Sequence, residues 1–214
     1  MESERIRILF QDEDVAVCIK PAGVDSERGM CDLLSAQTGQ TALCVHRLDR
    51  TVGGVMVYAL SAASSAALSK AITEGALEKT YLAVCEGVPE PPEGEMRDLL
   101  FHDSAKNKTY VVQRQRRGVR EALLTYETLA QSDSFSLVRI HLVTGRSHQI
   151  RVQFASRGRP LAGDRKYGAK TRCCLALWSH CLSFPHPHGG APLQFCVPPP
   201  DTPPWTEFDT EKAR

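Results

Sequence analysis

The sequence predicts an α+β fold, a single domain in which a largely antiparallel mixed sheet is flanked by a few helices. Three observations carry this expectation. Short β-rich or alternating segments bounded by polar turns recur along the whole chain. Only a few stretches show helical spacing, and they do not alternate regularly with the strands as a parallel βαβ architecture requires. No internal repeat breaks the pattern.

In order, IRILF and VAVCI read as two strands, around 6–10 and 15–19, separated by acidic turn residues and closed by Pro21 to Gly23. MCDLLSAQTG is a short helix with Gly39 as its stop. GGVMVYAL is an apolar strand, and SAASSAALSKAITEG after it is a helix. Ser61 caps that helix, Ala67, Leu68, Ala71 and Ile72 form its buried stripe, Lys70 and Glu74 pair across one turn, and Gly75 ends it. EKTYLAVCEG, KTYVVQ, EALLTYETL and FSLVRIHL are strands. TGRSHQIRVQFASRG is a turn and a third helix, with Ser147 as cap, Ile150 and Phe154 facing the core, and Gly158 as stop. The chain is expected to form one domain over 1–197 and a proline-dense, loosely ordered tail over 198–214.

A hydrophobic fraction of 42% supports a sizeable core, and no run reaches the roughly 18 apolar residues of a membrane span. The acidic start MESERIRILF has no apolar h-region, so no signal peptide is expected and the cytoplasm is the default compartment. Cys18 and Cys85 sit in apolar runs, where a free thiol behaves as a small hydrophobe. Cys173, Cys174 and Cys181 with His186 and His188 are the one cluster with metal-binding residue types. Its spacing is looser than zinc sites use, and no metal is expected there.

Net charge is only +1, yet its distribution is uneven. Between 105 and 120 lie six basic residues and no acid, namely Lys106, Lys108, Arg114, Arg116, Arg117 and Arg120. Between 144 and 172 lie eight basic residues against one acid, Asp164. Segregation of this kind fits a basic face for a polyanion as well as it fits an ordinary solvated surface.

Two segments concentrate chemistry. In VHRLDRTVGG, His46, Arg47, Asp49 and Arg50 crowd four ionisable groups into five positions ahead of two glycines. Flanking arginines keep a carboxylate ionised, but on its own the segment fits a salt bridge tying a loop better than it fits a reactive group. In TGRSHQIRVQ, Arg146, His148, Gln149 and Arg151 gather at a helix start, where free N–H groups and the helix dipole favour an anion.

HRLDRTVGG resembles the HRLDxxTSG signature of the RluA-type pseudouridine synthases. The strand pair ending in KPAG, then EKTYLAVCEG, TGRSHQIRV and GRPLAGDRKYG, follow in the family's order, so the likeness spans nearly the whole chain. The resemblance implies a pseudouridine synthase catalytic domain without an extra N-terminal RNA-binding domain. It implies an RNA-modifying isomerase that acts on ribosomal or transfer RNA without a cofactor, as a monomer with no protein partner. It makes Asp49 the catalytic aspartate, Tyr81 the ring that stacks on the target base, and Arg151 the partner of the aspartate carboxylate. Arg47 would contact the flipped-out nucleotide or its backbone, with Arg146, His148 and Gln149 at the helix start and Lys108 of the basic stretch as further substrate-binding residues. The sequence departs from the family at Val52 and Gly53, where Thr-Ser is usual, and at Gln153, where histidine is common; these changes are expected to touch loop packing and the outer helix face.

The chemistry suits those residue types. Uridine isomerisation breaks the N1 glycosidic bond, turns the uracil and joins C5 to the ribose, with no electrons lost and no group donated. It needs a positioned carboxylate, a closed pocket and an aromatic surface for a base taken out of its stack. Two other classes compete. A non-catalytic RNA-binding module of the same fold needs no ionised aspartate. A nucleoside or glycoside hydrolase would want a second carboxylate, for which Asp164 is the candidate.

Overall fold

The computed structural model describes residues 5–210; the first four residues of the acidic N-terminus and the last four of the tail lie outside them. The chain groups into two compact units, the first formed by the described part of Met1–Lys79 with Ser179–Val197, the second by Thr80–Trp178 with the described residues after Pro198. Each unit is a largely antiparallel sheet with helical elements, the α+β character expected.

In the first unit β1 (Arg7–Gln11), β2 (Val15–Lys20), β4 (Gly53–Ala59) and β10 (Leu177–Pro185) are successive neighbours, with β3 (Leu43–Cys44) on β4 and β11 (Pro192–Cys196) on β10. Every residue of β4 is buried, as are Val15 to Cys18 of β2. Both strands read as unbroken apolar runs because both faces are covered. Helix α1 (Arg28–Thr38) buries Met30 and Leu34 and ends at left-handed Gly39. Helix α2 (Ala62–Thr73) is capped by Ser61, whose side chain accepts from the Ser64 amide, and carries the Lys70–Glu74 pair at 3.8 Å. Leu68 and Ala71 of its expected stripe are buried, Ala67 and Ile72 only partly, and Ser64 one turn earlier joins them because it donates to Asp14 instead of facing water. Gly54 is required: its φ is +124°, and a Cβ there would overlap the backbone of Ser179 on β10.

In the second unit the order is β5 (Glu78–Glu86), β9 (Phe135–Leu142), β8 (Val119–Gln131), β6 (Glu93–Asp103) and β7 (Lys108–Val112). Helix α3 (Gln149–Ser156) packs on one face, where Phe154 meets Tyr126 edge-on and Val152 joins Leu100 and Ala122. The other face carries a second cluster of Leu82, Val84, Leu137, Ala162 and Ala176.

Four expectations need correction. Ser147 does not cap α3; the cap position is His148, in the left-handed region at φ 53°, without a side-chain cap bond. Gln153 lies on no outer face but is fully buried, donating to the Met96 carbonyl at 2.9 Å and to Asp98 at 2.7 Å. Cys181 is disulfide-bonded to Cys196 across β10 and β11, which takes it out of the cysteine–histidine cluster, and His186 pairs with Asp12 at 2.7 Å. The segment after residue 197 is not a loose tail over its described length, because Trp205 is only 5% exposed and belongs to the cluster of Leu82 and Leu137. Truncating that ring empties a large buried volume, so Trp205→Ala should cost about 3–5 kcal/mol in a urea unfolding experiment.

Candidate active-site loop and its supporting residues

The ionisable cluster of the HRLD segment is dispersed by the fold. His46 turns inward, 8% exposed, and its Nε2 accepts from the Val57 amide at 3.3 Å. Burial, reinforced by the charge of Lys79, pushes its pKa down to about 3, so the ring is neutral. Arg47 points out and pairs with Glu27 at 3.7 Å, Leu48 is buried, and Arg50 donates to the Gly23 carbonyl at 2.6 Å. Asp49 is left half-buried between an inward leucine and an outward arginine, its carbonyl accepting from the Val52 amide at 2.9 Å.

What holds this loop is Lys20, at the end of β2 and fully buried. Its ammonium donates to the carbonyls of Pro21 at 2.9 Å, Val24 at 2.7 Å and Arg50 at 3.2 Å, using all three of its protons. Burial lowers its pKa from 10.5 to about 8, while the negative charges of Asp25 and Asp49 favour the protonated form. Reciprocal bonds complete the stitching. The Gly23 amide donates to the Arg50 carbonyl at 2.7 Å, and the Ser26 hydroxyl donates to the Leu48 carbonyl at 2.9 Å. The segments 20–26 and 46–52 therefore behave as one bonded piece, and Asp49 is carried on a preset backbone. Lys20 was visible in sequence only as the lysine of KPAG; a lysine closing the apolar run VAVCIK is the signal that marks it.

In the second unit Arg151 is 7% exposed and forms a two-point pair with Asp164, Nε to Oδ2 at 2.7 Å and Nη2 to Oδ1 at 2.8 Å. Asp164, the candidate second carboxylate of a hydrolase, is thus a buried ion-pair partner. The Arg151 guanidinium also lies 5.2 Å from the centre of the Tyr167 ring. The Tyr167 hydroxyl accepts from the Thr109 amide at 2.8 Å and sits 2.9 Å from Nδ1 of His148. Burial raises the pKa of this phenol, which keeps it a donor and acceptor at neutral pH. Tyr167, absent from the residues expected at the site, therefore links His148, Arg151 and β7.

The remaining expected residues divide clearly. Gln149 is 2% exposed and its amide serves the backbone: Oε1 accepts from Thr144 Oγ1 at 2.8 Å and the Arg146 amide at 3.0 Å, and Nε2 donates to the Leu123 carbonyl at 3.1 Å. It shapes the turn before α3. Arg146 is exposed and donates to the Glu121 carbonyl at 3.0 Å. Lys108 is half-buried with its ammonium over Tyr110 and Tyr167. Tyr81 is a buried residue of β5, opposite Ile140.

Two outcomes follow from these environments. Below about pH 6.5 the unfolded state protonates His46 and the folded state does not, so its stabilising contribution is complete above 6.5 and is lost progressively toward pH 3. Urea midpoints measured from pH 7 to pH 4 should decline less steeply in His46→Gln than in wild type. Asp164→Asn withdraws half of a buried ion pair and should destabilise by about 3 kcal/mol, read by the same unfolding assay.

The family model described as RNA pseudouridylate synthase matches residues 14–156. An uncharacterized RNA pseudouridine synthase of Mycobacterium bovis is 30% identical over 227 residues, covering 94% of this chain and 71% of the relative. The dual-specificity RNA pseudouridine synthase RluA of Salmonella typhimurium is 32% identical over 203 residues, covering 89% of this chain and 92% of its own. The solved structure of human RNA pseudouridylate synthase domain containing 1 shares the fold at a TM-score of 0.81 and 22% identity, with 95% of this chain and 87% of that one covered. The chain belongs to the RNA pseudouridylate synthase family, in its RluA-type branch, and is an RNA pseudouridine synthase.

Proposed function

We propose that this enzyme converts particular uridines in structured ribosomal or transfer RNA to pseudouridine, with Asp49 as the catalytic carboxylate. The observation that carries the reading is the mounting of Asp49: a half-buried acid on a loop whose backbone is bonded to a buried lysine. A carboxylate kept for surface solubility needs no such support; one that must meet a sugar or base within tenths of an ångström does. Tyr81 is assigned the stacking of the extruded base and Arg151 the charge partnership of the reaction. Arg47, Arg146, His148 and Lys108 are assigned contacts with substrate, and Gln149 shapes the helix start that presents Arg146 and His148. The enzyme is proposed to act as a cytoplasmic monomer.

The reaction balances without a cofactor. The C1′–N1 bond breaks, the uracil turns, C1′ bonds to C5, the hydrogen on C5 leaves as a proton, and N1 gains one. A bound carboxylate can accept or return that proton or form a transient ester or base adduct.

Loss of the C5 hydrogen supplies the test. RNA carrying tritium at uridine C5 should release label to water with wild-type enzyme, and Asp49→Ala should lower the rate at least a thousandfold while RNA affinity changes little, because phosphate contacts dominate binding. Retained turnover in Asp49→Ala would remove Asp49 from the catalytic role, and release of free uracil would mark hydrolysis in place of isomerisation.

A further inference from the structure

We propose that the edge strand β7, with the turn at Arg165–Tyr167, is a docking site for an unpaired nucleotide of the substrate RNA other than the uridine that reacts. The inference rests on the reading of the enzyme as acting on structured RNA and adds where a single-stranded part of that RNA is held.

The site is built from alternation along β6 and β7. Leu100 and Val111 pair and face α3, so their neighbours Phe101 and Tyr110, also directly opposite one another, face the other way. Tyr110 is one of the most exposed large hydrophobic residues described, at 37%. Each ring of this pair has a cation against it: Arg116 lies 4.8 Å from the centre of Phe101, and Lys108 lies 5.7 Å from that of Tyr110. Lys108 also reaches to 5.4 Å from the Tyr167 ring, so aromatic and basic side chains interleave from Arg116 to Tyr167. Asp103, the acid paired with Lys108 in register, is engaged by Lys106 at 3.9 Å.

Alongside lies an open cleft of about 590 Å³, the size of a small-molecule pocket. Val111, Val152 and Ala155 give it apolar surface, and Lys108, Arg165 and Lys166 bring positive charge to it. Lys166 is fixed by donating to the Asn107 carbonyl at 2.9 Å, and the Thr109 amide of β7 is bonded to the Tyr167 hydroxyl. None of Asp49, Tyr81 and Arg151 lines it. An exposed ring with a lysine against it, beside a cleft with an apolar wall and a basic rim, has the chemistry of single-strand binding: bases stack and phosphates meet the cations.

The test uses the full chain and a fluorescently labelled, unstructured RNA 20-mer at fixed salt, read by anisotropy. Tyr110→Ala should raise Kd about five- to twentyfold, and Tyr110→Phe should stay within about twofold of wild type. The double variant Arg165→Ala, Lys166→Ala should weaken binding and flatten the dependence of log K on log salt by about 1.4. A fully paired duplex of the same sequence should bind equally to wild type and Tyr110→Ala, and turnover of Tyr110→Ala at saturating RNA should match wild type. An unchanged single-strand Kd in Tyr110→Ala overturns the proposal, as does an equal loss on the duplex; the edge strand would then be left to a partner such as an added protein strand. The two readings fail separately. Tritium release by wild type with unchanged Tyr110→Ala binding removes only the docking site, whereas absent release with a shifted Kd removes only the catalytic reading.

Discussion

The first unit depends on one buried ammonium. Lys20 has no carboxylate in direct contact among its hydrogen-bond partners; it is satisfied by three backbone carbonyls, from Pro21, Val24 and Arg50. Carbonyls are poor compensation for a desolvated charge unless several converge, and here they converge from two segments that are about thirty residues apart in sequence, like the 30-residue separation of Lys20 from Arg50. The cation can be buried only when both segments are in place, and both are held in place by burying it. Asp25 and Asp49 add their field from farther off. The loop that carries Asp49 is therefore ordered by a charge of opposite sign beneath it, and its geometry does not wait for a ligand.

The second unit reaches a similar end by different means. Arg151 is held edge-on by Asp164 and face-on by the Tyr167 ring, and the hydroxyl of that ring is bound by the Thr109 amide. One residue of the GDRKYG turn thus connects the arginine of α3 to the outermost strand of the sheet. Gly163, at φ +77°, allows the turn to approach the Cys173 and Cys174 carbonyls more closely than any side chain would permit.

Much of this was legible in the sequence. Local signals located α1 and α2 with their stops, because capping and left-handed glycine are encoded by single residues. The apolar runs located β2, β4 and β5. What stayed hidden was decided by tertiary contact. Strand β6 was not among the expected strands because Glu93, Glu95, Asp98 and His102 interrupt its apolar alternation, yet it pairs along its length with β8 and leaves Glu93 and Glu95 exposed. His46 looked like one of four crowded ionisable groups, and only its burial against Val57 shows it to be a neutral interior group. Gln153 looked peripheral because a helix eight residues long gives no reliable face. The aromatic that binds Arg151 lies sixteen residues away in a turn, at Tyr167, beyond any periodicity. The roles of Asp49, Tyr81 and Arg151 came from family likeness, since spacing alone favoured a tied loop.

Strand β10 lies beside β4, close enough that Gly54 can be nothing larger. The first unit is therefore discontinuous in sequence: residues up to 79 must be joined by 179–197 before its sheet is complete. During synthesis, the strand that follows the Asp49 loop has no β10 to lie against until residues 80–178 have been made in between. Pairings that bridge so long a separation, such as the Ser179 hydroxyl donating to the Val55 carbonyl 124 residues away, close late, so β4 reaches its final packing after the local bonds that tie the Asp49 loop to residues 20–26.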